Sequence, residues 1–327
     1  MAAATDFRAL EATNRRETIF LVASMMAILA ALGFGLDLWA GSIRIVNGHF
    51  YGFPLLTIFA LIFGGMQALV SYYGGAGLVL LSVHARPLKP DTTRHQTVLD
   101  VINEMALASR LPVPRAYVID DPAPNAFATG RDPAHSVICV TQGLIDQMDR
   151  EELQGVIGHE MSHVRDYDIR TMTMVAVMVG GIAMLSDFFF RMMFFSGGRR
   201  GSRSGSDNGG GVGVLIYIAV LILAAVSPII AQLVAMGISR QREYLADASS
   251  VEFTRNPRAL LRALEQIART ESPLKAGTSG TAHLFIVNPR EGVREDQEGF
   301  FDNLLSTHPP LNKRIERLRA MLGPTGN

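Results

Sequence analysis

The chain has 327 residues, of which 48% are hydrophobic and only 18% charged, with a formal net charge of zero and a mean hydropathy of +0.22. A composition this apolar excludes an ordinary soluble enzyme and asks for membrane segments, while zero net charge without a basic patch interleaved with aromatics excludes a nucleic-acid partner. The one cysteine, Cys139, excludes an internal disulfide framework and a cysteine-rich zinc site; within Val137-Ile138-Cys139-Val140 it reads as a buried small hydrophobe.

The first apolar stretch, residues 18–36, carries no charge and is long enough to span a bilayer. The polar run Asn14-Arg15-Arg16-Glu17 precedes it and no small-residue cleavage pattern is present, so it reads as an uncleaved anchor. The second stretch, 53–83, is also uncharged and contains glycines that suit close helix packing. Arg8, Arg15 and Arg16 precede the first stretch, and Arg86, Lys89 and Arg94 follow the second. The loop between them, 37–52, holds only Arg44. Residues 1–85 therefore read as a hairpin in the lipid bilayer with both basic flanks, and the segment that follows, on the cytoplasmic side.

Residues 86–170 read as the first part of a catalytic domain. Val98, Ile102 and Met105 share one face of a helix over 96–109, which stops before Pro112. Short strands follow at 116–119 and 136–140. Asp149 as N-cap and Glu152 three residues on form a capping-box pattern, and Leu153, Val156, Ile157 and Val164 have helical spacing. On that helix stands His159-Glu160-Met161-Ser162-His163, an H-E-x-x-H motif. Residues four apart lie on one helical face, so His159 and His163 can offer two imidazoles to one Zn²⁺. Glu160 sits beside the first ligand, placed to act as general base on a metal-bound water.

A third apolar stretch, about 172–195, and a fourth, about 212–238, make up a second hydrophobic hairpin over 171–238. Asp187 and Arg191 fall inside the third, four apart, where they can pair; alternatively its hydrophobic part ends near Leu185 and the remainder lies at the interface. The linking loop, 196–213, is rich in Gly, Ser and Arg and reads as flexible. Arg199, Arg200 and Arg203 would lie outside if the third stretch crosses, so either the charge rule is broken there or the pair is re-entrant or shallow.

Residues 239–327 read as the second part of the catalytic domain. A catalytic zinc usually has three protein ligands, and Ser239–Ala248 offers Glu243 and Asp247 four apart on one face. One can bind metal while the other accepts a hydrogen bond from a ligand imidazole. Asn256-Pro257 opens a helix with Leu260, Leu261, Leu264 and Ile267 inward. A last helix, 310–322, uses Leu311, Ile315, Leu318 and Leu322. His49, His84, His95, His135 and His283 have no partner spacing and read as surface or loop residues.

H-E-M-S-H-V-R, followed after a hydrophobic hairpin by R-E-Y-L-A-D-A, resembles the HtpX family of membrane-bound zinc metallopeptidases, relatives of the CAAX prenyl proteases. The similarity extends to the N-terminal hairpin, to Pro124–Gly130 and to Thr307-His308-Pro309, and is poorest at the chain start and in the Gly/Ser/Arg loop. The resemblance implies Glu243 as third ligand and Asp247 as its partner behind the site. It also implies a cytoplasmic catalytic domain on the bacterial inner membrane, and a stress-response role in degrading misfolded membrane proteins. In the family a segment matching Asn125, Ala126 and Phe127 lies at the cleft edge, where a hairpin of 125–130 with 136–141 can bind an extended polypeptide by strand addition. A His-Pro element lies near the metal in the family, and Arg314 falls six residues after His308 as in its pattern. His308 would stabilise the oxyanion, cover zinc at rest, or simply pack at the helix start.

The expected fold is α+β and mostly helical: an integral membrane protein with two to four transmembrane helices and a zincin-like catalytic domain carrying a small β-sheet. The expected reaction is peptide hydrolysis at one Zn²⁺ per chain, with Glu160 passing a proton from water to the leaving amine. An intramembrane site-two-type protease is disfavoured by Glu151, Glu152, Arg165, Asp166, Asp168 and Arg170, which place the motif in water or at the interface. The alternative, a membrane scaffold or transporter with a structural or inactive zinc site, leaves Glu160 without a purpose.

Overall fold

The computed structural model describes residues 7–46, 49–200, 210–236, 240–270, 281, 284–287 and 309–322. In chain order these form α1 (Phe7–Ala40), β1 (Ile43–Val46), β2 (His49–Gly52), α2 (Leu55–Ser82), β3 (Arg86–Pro87), α3 (Thr93–Ser109), β4 (Arg115–Ile119), β5 (Ala126–Thr129), a 3₁₀ turn (Pro133–His135) and β6 (Val137–Thr141). There follow α4 (Gln142–Gln147), α5 (Arg150–Arg165), α6 (Asp168–Arg200), α7 (Gly210–Met236), α8 (Arg240–Thr254), α9 (Pro257–Ala268) and α10 (Leu311–Met321). The residues fall into two compact units, one of 1–18, 71–176 and 236–327, the other of 19–70 and 177–235. The mostly helical α+β class expected from the sequence is the class observed.

Among the described residues, three helical segments are long and apolar enough to cross a membrane: Asn14–Ala40, Leu55–Ser82 and Asp168–Met192. In α7 the corresponding apolar segment, Tyr217–Ala231, is shorter. The third span runs on past Leu185, and Arg191 pairs with Asp187 at 2.8 Å across one helical turn. Residues 196–200 and 210–213, expected in a loop, are helical. The loop 37–52 contains an antiparallel hairpin of β1 and β2, and the sequence between the two strands is Asn47-Gly48, a dipeptide that favours two-residue hairpin connections. Asp37, buried at the end of α1, accepts hydrogen bonds from Leu56 N–H (3.0 Å), Thr57 N–H (2.8 Å) and the Thr57 hydroxyl (2.8 Å). It thereby satisfies amides at the start of α2 that no helical carbonyl can reach. Gly33 permits this approach, since a Cβ there would stand 2.6 Å from Thr57 Cα. Large apolar side chains such as Phe20, Phe59, Ile62 and Leu69 remain exposed on these helices, as lipid-facing positions require.

The first unit is built around α5. Its start is the expected capping box: Asp149 accepts from Glu152 N–H (2.8 Å) and Glu152 accepts from Asp149 N–H (2.9 Å). Leu153, Val156, Ile157, Met161 and Val164 join Val98, Ile102 and Met105 of α3 and Leu260, Leu261 and Leu264 of α9 in one buried core. α3 begins at Thr93, earlier than expected, because Thr92 caps it through His95 N–H. His95 is therefore a half-buried helical residue bonded to Gln142 rather than a surface one. The four-stranded sheet has the order β3-β4-β6-β5: β4 and β6 are parallel, the outer pairs antiparallel. β6 is wholly buried, Cys139 included, and β5 forms the sheet edge.

α5 and α9 approach closely at Gly155, where a Cβ would lie 2.4 Å from Leu260 N and 2.7 Å from Ala259 C. Backbone cannot step aside as a flexible side chain can. Gly155→Ala is expected to destabilise this unit by about 2–3 kcal/mol, read as a lowered thermal unfolding midpoint of the detergent-solubilised chain.

Candidate metal centre

α5 is buried on nearly every face. The same helix carries His159, Glu160 and His163, all buried, and packs against α8 and β5. α8 brings Glu243 and Asp247 to the same place, both buried, so these two acids are not a solvated helix face. Buried charges must be matched by partners, and here each one is.

The two imidazoles are held alike. His159 Nδ1 lies 3.0 Å from Asp247 Oδ1, and His163 Nδ1 lies 3.1 Å from Asp168 Oδ2. A carboxylate only accepts, so each Nδ1 carries the proton and each Nε2 of a neutral ring presents a lone pair. Those two Nε2 atoms stand 3.2 Å apart. Glu243 completes the triangle, its oxygens 3.6 Å from each Nε2. Two lone pairs and a carboxylate at this spacing repel unless a cation or proton lies between them. Tetrahedral zinc with bonds of about 2.0–2.1 Å spaces its donors by about 3.3–3.4 Å, and the three donor atoms here all lie within 4.8 Å of one another. The donor set fits a tetrahedral metal with one position left for water.

The surroundings tune the groups. Burial pushes His159 down to about 4 despite its bond to Asp247. Burial acts the same way on His163, but the hydrogen bond to Asp168 and the charge of Glu243 outweigh it and lift the ring to about 9. A ligand imidazole is neutral, so metal entry displaces the proton this ring holds. Glu160 is lifted to about 7, chiefly by burial, while its carboxylate accepts a hydrogen bond from the Ala128 backbone. Arg314, 1% exposed, donates to Asp247 from Nε (3.0 Å) and Nη2 (2.7 Å), and to Ile286 O from Nη1 (2.9 Å). Burial alone would raise the Asp247 carboxyl; the charges of Arg314 and His159 hold it below the usual range.

His159, Glu160, His163, Glu243, Asp247 and Arg314 thus converge as the sequence suggested. Asn125, Ala126 and Phe127 lie at the sheet edge, but their outward bonds are in use. Asn125 Nδ2 donates to Val287 O (2.9 Å), Ala126 O accepts from Ile286 N–H (2.9 Å), and Phe127 packs edge-on against Phe285. All four β5 residues are buried, which corrects the expectation of an exposed edge: residues 284–287 cover its first half. His308 and His283 lie outside the described residues. Asp168 was not singled out as a partner of His163. The sequence places it among charges that keep the motif in water, yet it is 3% exposed. Its only sequence signal is an acid five positions after the second histidine. Tyr167, in the left-handed region (φ 62°), turns the chain so that α6 begins beside that ring.

Two nitrogens and a carboxylate aimed at one point, with a further carboxylate alongside and membrane-length helices in the same chain, define a membrane metallopeptidase. Residues 90–322 match the model of peptidase family M48. The protease HtpX homologue of Caldanaerobacter subterraneus subsp. tengcongensis is 39% identical over 312 residues, covering 95% of this chain and 97% of its own. That of Streptococcus uberis is 38% identical over 310 residues, covering 95% and 98%. Among solved structures, the crystal structure of S. mikatae Ste24p aligns with a TM-score of 0.48 at 16% identity, over 95% of this chain and 66% of that one. The chain belongs to peptidase family M48.

Arg314 neutralises Asp247 where both side chains are buried. Arg314→Met is expected to cost about 3–5 kcal/mol of stability and to weaken zinc binding about tenfold or more, checked by thermal unfolding and by chelator competition.

Proposed function

We propose that this protein is a zinc-dependent endopeptidase of the bacterial inner membrane that cleaves misfolded or damaged membrane proteins at the cytoplasmic face, in protein quality control under stress. The reading of zinc rests on one observation above all, the two Nε2 atoms 3.2 Å apart with Glu243 beside them. His159, His163 and Glu243 would hold one Zn²⁺. When bound, zinc supplies a Lewis acid that acidifies water and polarises the scissile carbonyl.

The chain's own residues do the rest. Asp247 and Asp168 keep both rings in the tautomer that points Nε2 inward. Glu160, at about 7, matches the task of taking a proton from water and returning it to the leaving amine near neutral pH. A structural site has no use for such a carboxylate, which favours an enzyme over a scaffold or transporter. Peptide would lie along β5. Ala126 is engaged by Ile286, so pairing would begin at Ala128, next to Glu160, with Asn125 and Phe127 shaping that end of the cleft. His308 would stabilise the oxyanion. Backbone pairing demands little of substrate sequence, which suits varied unfolded chains.

Membrane placement is argued from the apolar helices, and orientation from Arg15, Arg16, Arg86 and Lys89 at the ends of the first two spans. The named relatives are proteases. The purified full chain should carry one zinc and cleave casein. Glu160→Gln should keep the zinc and lose activity by about 10²–10⁴-fold; undiminished cleavage would refute the mechanism. Glu243→Ala should lose the metal, and full zinc occupancy in that variant would refute its role as ligand.

A further inference from the structure

Asp168 does more than touch His163. Its other oxygen, Oδ1, accepts from Asn14 Nδ2 (2.9 Å) and from Arg242 Nη1 (2.9 Å). Asn14 also donates to the Asp166 carbonyl, and the second arm of Arg242 reaches Glu17. One turn beyond Asn14, the Thr18 hydroxyl meets that of Thr171 at 2.6 Å and donates to Asn14 O at 2.7 Å. Asn14 and Thr18 are buried, whereas Arg15 and Arg16 between them are exposed. The buried residues therefore form one docked face of α1, at the spacing a helix requires. Arg242 directly precedes Glu243 on α8, so a single carboxylate ties α1, α6 and α8 to the ring of His163.

We infer that Asn14 and Arg242 are positioning residues of the metal centre: the beginning of the first membrane helix completes the zinc site by holding Asp168 against His163. The physical reason is specific. A buried carboxylate with one free oxygen would turn toward any donor it could find. Two donors on Oδ1 leave Oδ2 directed at His163 Nδ1, and Arg242 balances the charge that burial penalises. Zinc affinity then depends on two side chains that supply no ligand, and loss of the chain up to residue 14 would weaken the site without touching a ligand.

This inference rests on the reading that His159, His163 and Glu243 bind zinc. The test uses the full chain in detergent micelles and Zn²⁺ alone, with affinity read by competition against a coloured chelator. Asn14→Ala should bind zinc about tenfold more weakly and Asp168→Ala about 10–100-fold more weakly. The double variant should be no weaker than Asp168→Ala, because Asn14 acts through Asp168. Thr18→Val, which removes a docking bond that does not touch Asp168, should bind as wild type does. Wild-type affinity in Asn14→Ala, full additivity in the double variant, or an equal loss in Thr18→Val would each overturn the inference. Should Asn14→Ala not fold, Arg242→Lys carries the same test, since it keeps the charge but loses the fork between Asp168 and Glu17. Wild-type protein that takes up no zinc would instead overturn the metal reading itself.

Discussion

Two imidazole Nε2 atoms held 3.2 Å apart are the constraint on which the rest depends. Left to itself, a buried histidine turns its ring to satisfy both nitrogens. Here each Nδ1 is fixed by a carboxylate, so each Nε2 is fixed by default. Every carboxylate that does this is buried and must be balanced: Asp247 by Arg314, Asp168 by Arg242 and Asn14. The site is thus a closed set of charges in which each member is oriented by another. Five helices and a sheet edge contribute to it because no single element carries enough partners.

The same logic explains which side chains the core gives up. α5 buries one face against α3 and α9 as an ordinary amphipathic helix. It buries the other as well, and that second face is polar. Burial lifts Glu160 to about 7, which a solvated glutamate would not show. Its neighbour is the Ala128 backbone on β5, so Glu160 is tied directly to the sheet edge. Residues 284–287 cover the first half of that strand, and Arg314 fixes this cover through Ile286 O while bracing Asp247. The arginine therefore links the backing of the metal ligand to the boundary of the cleft.

Much of this was legible along the chain. Apolar stretches without charge marked the long helices, since a bilayer-length helix leaves a strong signal in composition alone. Asp149 with Glu152, and Asn256 with Pro257, marked helix starts because capping is local chemistry. H-E-x-x-H placed two ligands on one face because helical geometry is local too. Asn47-Gly48 between two strand-like runs marks the β1–β2 hairpin; the helical ends of 196–200 and 210–213 and the cover on β5 were not legible. Each depends on backbone partners that sequence spacing does not specify.

The sequence by itself marked the two histidines of H-E-x-x-H, the glutamate beside them, the candidate acids on α8 and the membrane character of the chain, because each follows from residue type and short-range period. Only the tertiary structure decided which acid serves which ring. Glu243 faces both Nε2 atoms, Asp247 backs His159, and Asp168 backs His163 from beyond a turn at Tyr167. Asn14, some 150 positions from Asp168 in the chain (|i−j| = 154), could be tied to the site only by folding. A hydrogen bond between distant segments has no period and leaves no pattern, so the residues that orient a metal ligand are the ones a sequence discloses last.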